Sequence, residues 1–447
     1  MRRALFVLAG LTPLVFTGCQ DAAPARDQWL ITVSSNATQP QFGDRLLVEL
    51  LDGDGALACD GCRRTFGVGT GAFPLSFGVP MTSGAVQVRA RLYRVAQTGA
   101  DGFPGDAGLI DGRGRLPEAR GIEAVTLNLS LDCFGVLSEA EKTCDPNTGK
   151  LGPVPLLDDA APLEPKSWWG VQPAPCSGPV PEDMACIEGG AFIQGDAQDF
   201  GISMPLSAAR ERLVVLSPFA LDRDEVTVGE VRSLVRAGIV DVEPVLPSPD
   251  PKDPDGTCTY LGPDDASNDA LPVNCVGHGV ASNICAAFGR RLPTEAEWEW
   301  AAGQRERESL YPWGSNPEVC DQALIGVGRL LEAYFEESIP CRVKDDGTLR
   351  PWGMQPGGDP DDLTLEGIAN LGGNVSEWTA DAFAPYGEAC HADLPQPAVD
   401  PLCFFSSNTF VVRGGSWNSI LQHARSVARQ WSGSWTPVIG LRCAQSL

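Results

Sequence analysis

Alternation of apolar and polar residues sets the first part of the chain. Trp29-Leu30-Ile31-Thr32-Val33, Arg45-Leu46-Leu47-Val48-Glu49-Leu50, Ala85 to Tyr93 and Val125 to Leu131 repeat with period two, which predicts half-buried strands. Asp52-Gly53-Asp54-Gly55 reads as a turn, and the Gly- and Asp-rich run 99–121 reads as a long surface loop. Together they predict an all-β, immunoglobulin-like sandwich over 27–133. Residues 134–183 hold many prolines and the pair Trp168-Trp169, and predict a semi-rigid linker with its tryptophans packed on a domain. From 184 to 447 short strands alternate with short helices, so this part is expected to be α+β. Val228, Val231 and Val235 share a helix face behind a Thr227/Glu230 capping box, and Val280, Ile284, Cys285 and Phe288 share another, which turns Cys285 inward. Thr294 and Glu297 form a further capping box, Trp298, Ala301 and Ala302 fall on one face, and Gly303 follows the last turn.

Charge and cysteine content add compartment and exclude one partner class. The 447 residues carry a net charge of -25, so no basic excess exists to neutralise phosphates, and nucleic acid is not an expected partner. Arg2 and Arg3 precede an apolar run, 4–16, too short to span a bilayer. Phe16-Thr17-Gly18-Cys19 resembles a bacterial lipobox. The expectation is a lipoprotein signal over 1–19, a lipid on Cys19, and a body held at the extracytoplasmic face of the bacterial cell envelope. Of the 15 cysteines, 14 remain after Cys19, an even number for an exported chain. Sequence neighbours suggest Cys59/Cys62, Cys133/Cys144, Cys176/Cys186, Cys258/Cys275, Cys320/Cys341 and Cys390/Cys403, although spacing alone does not fix connectivity. Cys59-Asp60-Gly61-Cys62 is read as a structural bridge, with a redox motif or half a zinc site as the alternatives. Asp101, Asp106 and Asp111 lack EF-hand spacing and read as solvated loop residues.

Arg291-Leu292-Pro293-Thr294-Glu295-Ala296-Glu297-Trp298-Glu299-Trp300-Ala301-Ala302 resembles a signature of the formylglycine-generating enzyme (sulfatase-modifying factor) family. Met184 to Gly195, Asp222 to Thr227, Tyr311-Pro312-Trp313-Gly314, Asn370 to Trp378, Val412 to Trp417 and Gly440 to Ala444 resemble further family segments in the family's order, with Glu188 where proline is usual. The resemblance implies a variant C-type-lectin-like fold over 184–447 and a disulfide between Cys285 and Cys443, the two cysteines left after the local pairs. It also implies a calcium site formed by Asn370, the Gly373 and Val375 carbonyls and Glu377, since calcium takes hard oxygen ligands.

The resemblance places the family's copper-binding cysteines at Ser419 and Ala424. Copper(I) prefers thiolates; a hydroxyl and a methyl supply none, so copper is not expected. His278, His391 and His423 are the only histidines and have no ligand spacing on one helix. The expected role is therefore a membrane-anchored binding or scaffold protein for an unknown protein or glycan, with Trp417, Arg425 and Arg429 as binding candidates and Trp431 and Trp435 as further contacts, each of the three tryptophans reading at least as well as a core residue. The alternative is a formylglycine-generating oxidoreductase with displaced cysteines, or another oxidoreductase of the same fold.

Overall fold

The computed structural model describes residues 27–447 apart from 82–83, 106–107, 197–210, 245–257, 328–340, 342, 345, 348, 351–352, 387 and 392–396. The expected signal segment, Cys19 and Asp106 lie outside the described residues.

The chain opens with β1 (Gln28–Ser35), β2 (Arg45–Leu51), β3 (Arg63–Gly67), β4 (Leu75–Pro80), β5 (Gln87–Tyr93), β6 (Ile110–Arg115) and β7 (Ile122–Leu129). They form two sheets, β4-β1-β7 and β3-β2-β5-β6, with β1 parallel to β7 and every other pair antiparallel. The inward residues of the alternating runs (Ile31, Val33, Leu46, Val48, Val88, Ala90, Val125, Leu127) meet in one core between the sheets. β6 corrects the surface-loop expectation for 99–121. Its Gly112 and Gly114 imitate a loop in sequence, but a Cβ at Gly112 would lie 2.7 Å from Leu129, and one at Gly114 would lie 2.4 Å from Leu157. They are glycines because neighbouring chain packs against them. Asp111 is buried and takes a two-pronged ion pair from Arg89 at 2.9 and 2.6 Å.

The connecting segment is less extended than a spacer. It contains the hairpin β8 (Lys142–Asp145) and β9 (Lys150–Pro153), and it is stapled by Cys133–Cys144 and Cys176–Cys186. Trp168 is buried and its indole N–H donates to Asp132 at 2.9 Å, whereas Trp169 is exposed. The sandwich core then runs through Trp168 into Ala191, Ile193, Leu213 and Val215 of the next part, so one apolar cluster crosses the junction.

That second part is α+β. Its strands are β10 (Met184–Ile187), β11 (Gly190–Gln194), β12 (Arg212–Leu216), β13 (Phe219–Asp222), β14 (Ser376–Ala382), β15 (Ala398–Val399), β16 (Phe410–Arg413), β17 (Arg429–Ser432), β18 (Ile439–Gly440) and β19 (Ala444–Ser446). They make three small sheets, β10-β13-β19, β11-β12-β15 and β17-β16-β14-β18. Helices α1 (Val228–Arg236) and α2 (His278–Ala287) share an apolar cluster with Trp378, Val412 and Ile439, and α3 (Glu295–Ala302) shares one with β10 to β13. The capping boxes of α1 and α3 form as the sequence predicts. α3, however, is buried on every side, not along one stripe: all eight of its residues are buried, including three glutamates. Its apolar side chains join those of β10 to β13, Leu371 and Ala444 in one cluster, and β14 and β16 pack beside it, which leaves it no solvent face.

The C-terminal strand is also joined covalently to a core helix, because Cys285 of α2 is bonded to Cys443, 158 residues later. Closing so long a loop restricts the unfolded chain most. Replacing both cysteines by alanine is expected to lower unfolding free energy by roughly 2–5 kcal/mol, measured by denaturant titration. The same change at Cys59 and Cys62, three residues apart, should cost less.

Candidate functional site

The segment between β16 and β17 carries the positions where the resemblance places the copper ligands. It leaves β16 through Gly414 and Gly415, which must be glycines. Gly414 has φ +78°, and a Cβ there would sit 2.7 Å from the Leu371 carbonyl; a Cβ at Gly415 would meet the Gly372 carbonyl at 2.4 Å. The segment is thereby pressed against the 370–374 turn, and Trp417 N–H donates to the Asn374 carbonyl at 2.8 Å. At the first position, Ser419 Oγ lies 2.7 Å from Ser416 Oγ and accepts from the Ser416 N–H at 3.1 Å. At the second, Ala424 is buried. All 14 described cysteines are paired in seven disulfides, so no thiol elsewhere among the described residues substitutes. The donor set therefore does not fit copper(I).

The charges of α3 hold this region from below. Glu295 receives Arg429 Nε at 2.5 Å and Nη2 at 3.0 Å, and Arg413 lies 3.0 Å away. Arg413 also pairs with Glu299 and donates to the Ala428 carbonyl at 3.0 Å, while Tyr386 Oη donates to Glu295 at 2.9 Å. Burial opposes ionisation of Glu295, but Arg429 and Arg413 outweigh it and hold the carboxyl well below its usual range. This corrects two binding candidates. Arg429 is fully buried as an ion-pair partner, and Trp417 is 1% exposed. Arg425 alone reaches a cavity, where it pairs with Asp196 at 2.5 Å. That cavity, about 320 Å³, lies between the sandwich and the second part, with Arg94 on one wall and Phe192, Glu308 and Ser426 on the other.

The implied calcium ligands form a different arrangement from the expected one. Asn370 adopts φ +63° and is buried beside Glu225, to which its Nδ2 donates at 3.0 Å; its Oδ1 has no hydrogen-bond partner among the described residues. Glu377, in contrast, accepts Arg442 Nε at 2.7 and 2.8 Å and the Trp298 indole N–H at 2.8 Å. Arg442 Nη2 lies a further 2.7 Å from Glu377 Oε1. Both Glu377 oxygens are thus taken up by a guanidinium and an indole, and the set Asn370, Gly373, Val375 and Glu377 does not fit a calcium ion here. Sequence reasoning missed Glu225 and Asp362. Glu225 accepts from Asn370, from Asn374 and from the Val375 N–H, and Asp362 accepts from the Gly372 N–H at 2.9 Å. Burial pushes each of these carboxyls up to about 8. No spacing rule pairs Glu225 with residues 145 or more positions away, although it lies in the Asp222 to Thr227 segment that carries the resemblance.

The histidines stand apart. His278 stacks on Phe410 with centroids 3.5 Å apart, His391 sits 2.7 Å from Arg212 Nη1, and burial keeps His423 down at about 4. Among the described residues, the one group of three or more metal-binding side chains is Cys390, His391 and Cys403, and its two sulfurs are bonded to each other.

Residues 172–447 match the family described as "Sulfatase-modifying factor enzyme 1-like domain". The chain is 29% identical over 296 residues to the formylglycine-generating enzyme of Streptomyces coelicolor, covering 58% of this chain and 87% of that protein. It is 30% identical over 183 residues to the inactive C-alpha-formylglycine-generating enzyme 2 of Mus musculus, covering 39% of this chain and about half, 49%, of the mouse protein. It is 29% identical over 311 residues to hercynine oxygenase of Mycolicibacterium smegmatis, covering 62% and 61%.

Two outcomes are expected. Arg429→Met leaves a buried carboxylate short of a cation and should cost roughly 3–5 kcal/mol in denaturant titration; an Arg429 that served only as a surface contact would cost close to nothing. A raised carboxyl pKa favours the folded state at low pH. The contribution of Glu225 and Asp362 is fully present below the unfolded value of about 4, and is lost as pH rises to the folded value of about 8. Melting temperature should therefore fall less steeply between pH 4 and 8 in Glu225→Gln than in the parent; parallel curves would contradict the assignment.

Proposed function

The chain belongs to the sulfatase-modifying factor enzyme 1-like domain family, and on that premise we propose that it is a non-catalytic binding or scaffold protein, held at the cell-envelope surface by a lipid on Cys19. The observation that carries this reading is the segment between β16 and β17. It keeps the backbone course imposed by Gly414 and Gly415, but offers a hydroxyl at Ser419 and a methyl at Ala424. A thiolate pair in one coordination sphere is a chemical requirement for binding copper(I) strongly through sulfur, and family membership alone does not supply it. The mouse relative whose name begins with "inactive" gives a precedent for such a member.

The binding face in this reading lies at the edge of the β17-β16-β14-β18 sheet. Trp431 is 40% and Trp435 45% exposed, and Trp431 leans on Phe383 at 5.9 Å. Partly exposed tryptophans supply apolar area with an N–H donor, which suits a protein or a glycan. Neither copper nor calcium enters this account.

The test is aerobic incubation of the copper-loaded full chain with a peptide containing the C-x-P-x-R sulfatase motif. The peptide cysteine is expected to be unchanged by mass spectrometry. Conversion to formylglycine over repeated turnovers would overturn the proposal in favour of an oxidoreductase with displaced cysteines.

A further inference from the structure

The Cys59–Cys62 bridge stands apart from the other six. Among the described cysteines Cys59 is the exposed one, while Cys62 is 4% exposed. Its sequence separation of 3 is the smallest, against 158 for Cys285–Cys443, so it restricts the unfolded chain least. The hairpin it decorates is held without it: β2 pairs with β3 from Arg45↔Gly67 to Glu49↔Arg63, Leu50 N–H donates to the Cys62 carbonyl at 2.8 Å, and Cys62 N–H closes a turn onto Cys59 at 3.0 Å. Reduction would leave this scaffold standing.

Beside the bridge runs an apolar groove of about 590 Å³, lined by Leu50, Phe66, Phe77, Val79 and Pro80, with Cys59, Cys62 and Arg64 also in its wall. It lies between β3 and β4, the edge strands of the two sheets, and Phe66 stacks on Phe77 across the gap at 6.0 Å. Among the described residues β3 pairs only with β2 and β4 only with β1, so each presents a backbone edge to an added extended chain. Arg64 lies over Phe66 at 5.0 Å and has no carboxylate partner among the described residues. A cation in the wall of the same groove favours a thiolate there.

We propose that Cys59–Cys62 is a thiol–disulfide exchange site that takes an extended, cysteine-bearing polypeptide in the groove between β3 and β4. The proposal is independent of the role given to the second part of the chain. A substrate thiolate attacks Cys59 Sγ; the Cys59–Cys62 bond breaks, its electron pair departs on Cys62 Sγ, and Cys62 takes a proton from solvent. A second substrate thiolate then attacks the substrate sulfur of the mixed disulfide and expels Cys59 as thiolate. Two electrons pass from the substrate dithiol, which becomes a disulfide, to the Cys59/Cys62 pair. A low-molecular-weight disulfide such as oxidised glutathione restores the bridge by the reverse exchange.

The experiment uses the full chain and a reduced, apolar dithiol peptide, followed by alkylation and peptide mapping. Cys59/Cys62 is expected to be reduced ahead of the other six bridges. In Cys62→Ser, the free Cys59 should capture the 2-thiopyridyl-activated peptide at least about tenfold faster than it captures activated glutathione. Phe77→Ser should abolish that preference. Arg64→Glu, a change at an exposed side chain that leaves the core intact, should slow both reactions. Reduction of Cys59/Cys62 no earlier than the others, or equal capture of peptide and glutathione, would show a plain structural bridge.

Discussion

The fold of the second part turns on carboxylates buried in one short helix and the guanidiniums that meet them. Glu295 and Glu299 of α3 are answered by Arg413 at the end of β16 and Arg429 at the start of β17. Trp298, between them, reaches over to Glu377, which Arg442 holds from the C-terminal segment. Charges of this kind are costly to take out of water, and they are held here by close pairing with opposite charges. The network therefore fixes geometry more than it adds stability. It ties α3, β14, β16, β17 and the chain's end into one arrangement, and losing Arg413 or Arg429 leaves a buried carboxylate short of a cation.

That frame explains how the segment after β16 holds its shape whatever side chains stand in its middle. The course of the segment after β16 depends on Arg413 and Arg429 at its ends, and on the contact of Gly414 and Gly415 with the 370–374 turn. None of these depends on what stands at Ser419 or Ala424. The hydroxyl at Ser419 and the methyl at Ala424 offer copper(I) no thiolate, and neither belongs to the contacts that hold the segment's ends. The likeness of the motifs thus reports the ionic frame and its packing, and a fold shared in this way does not by itself carry an activity.

Much of this was legible in the sequence where the signal is local. The capping boxes at Thr227 and Thr294, the alternating strands of the sandwich and the inward turn of Cys285 follow from residues near one another, and the structure has them. What escaped depends on partners far along the chain. β6 resembled a loop because Gly112 and Gly114 are small for the sake of Leu129 and Leu157. Arg429 and Trp417 resembled surface contacts because nothing local shows that α3 and the 370–374 turn bury them. Glu377 resembled a calcium ligand because its partner Arg442 is 65 residues away. Glu225 gave no signal of its own, since its amide partners lie 145 and 149 residues on.

On the proposed reading the fold is intact and only the sulfur ligands are missing. Copper(I) affinity, measured by competition with a chromophoric chelator and paired with X-ray absorption for copper–sulfur scattering, tests it most directly when the parent chain is set beside the double variant Ser419→Cys, Ala424→Cys. The parent is expected to leave the chelator's copper in place, and the double variant to take it up with two sulfur neighbours. Tight copper(I) binding with sulfur ligation by the parent itself would contradict it.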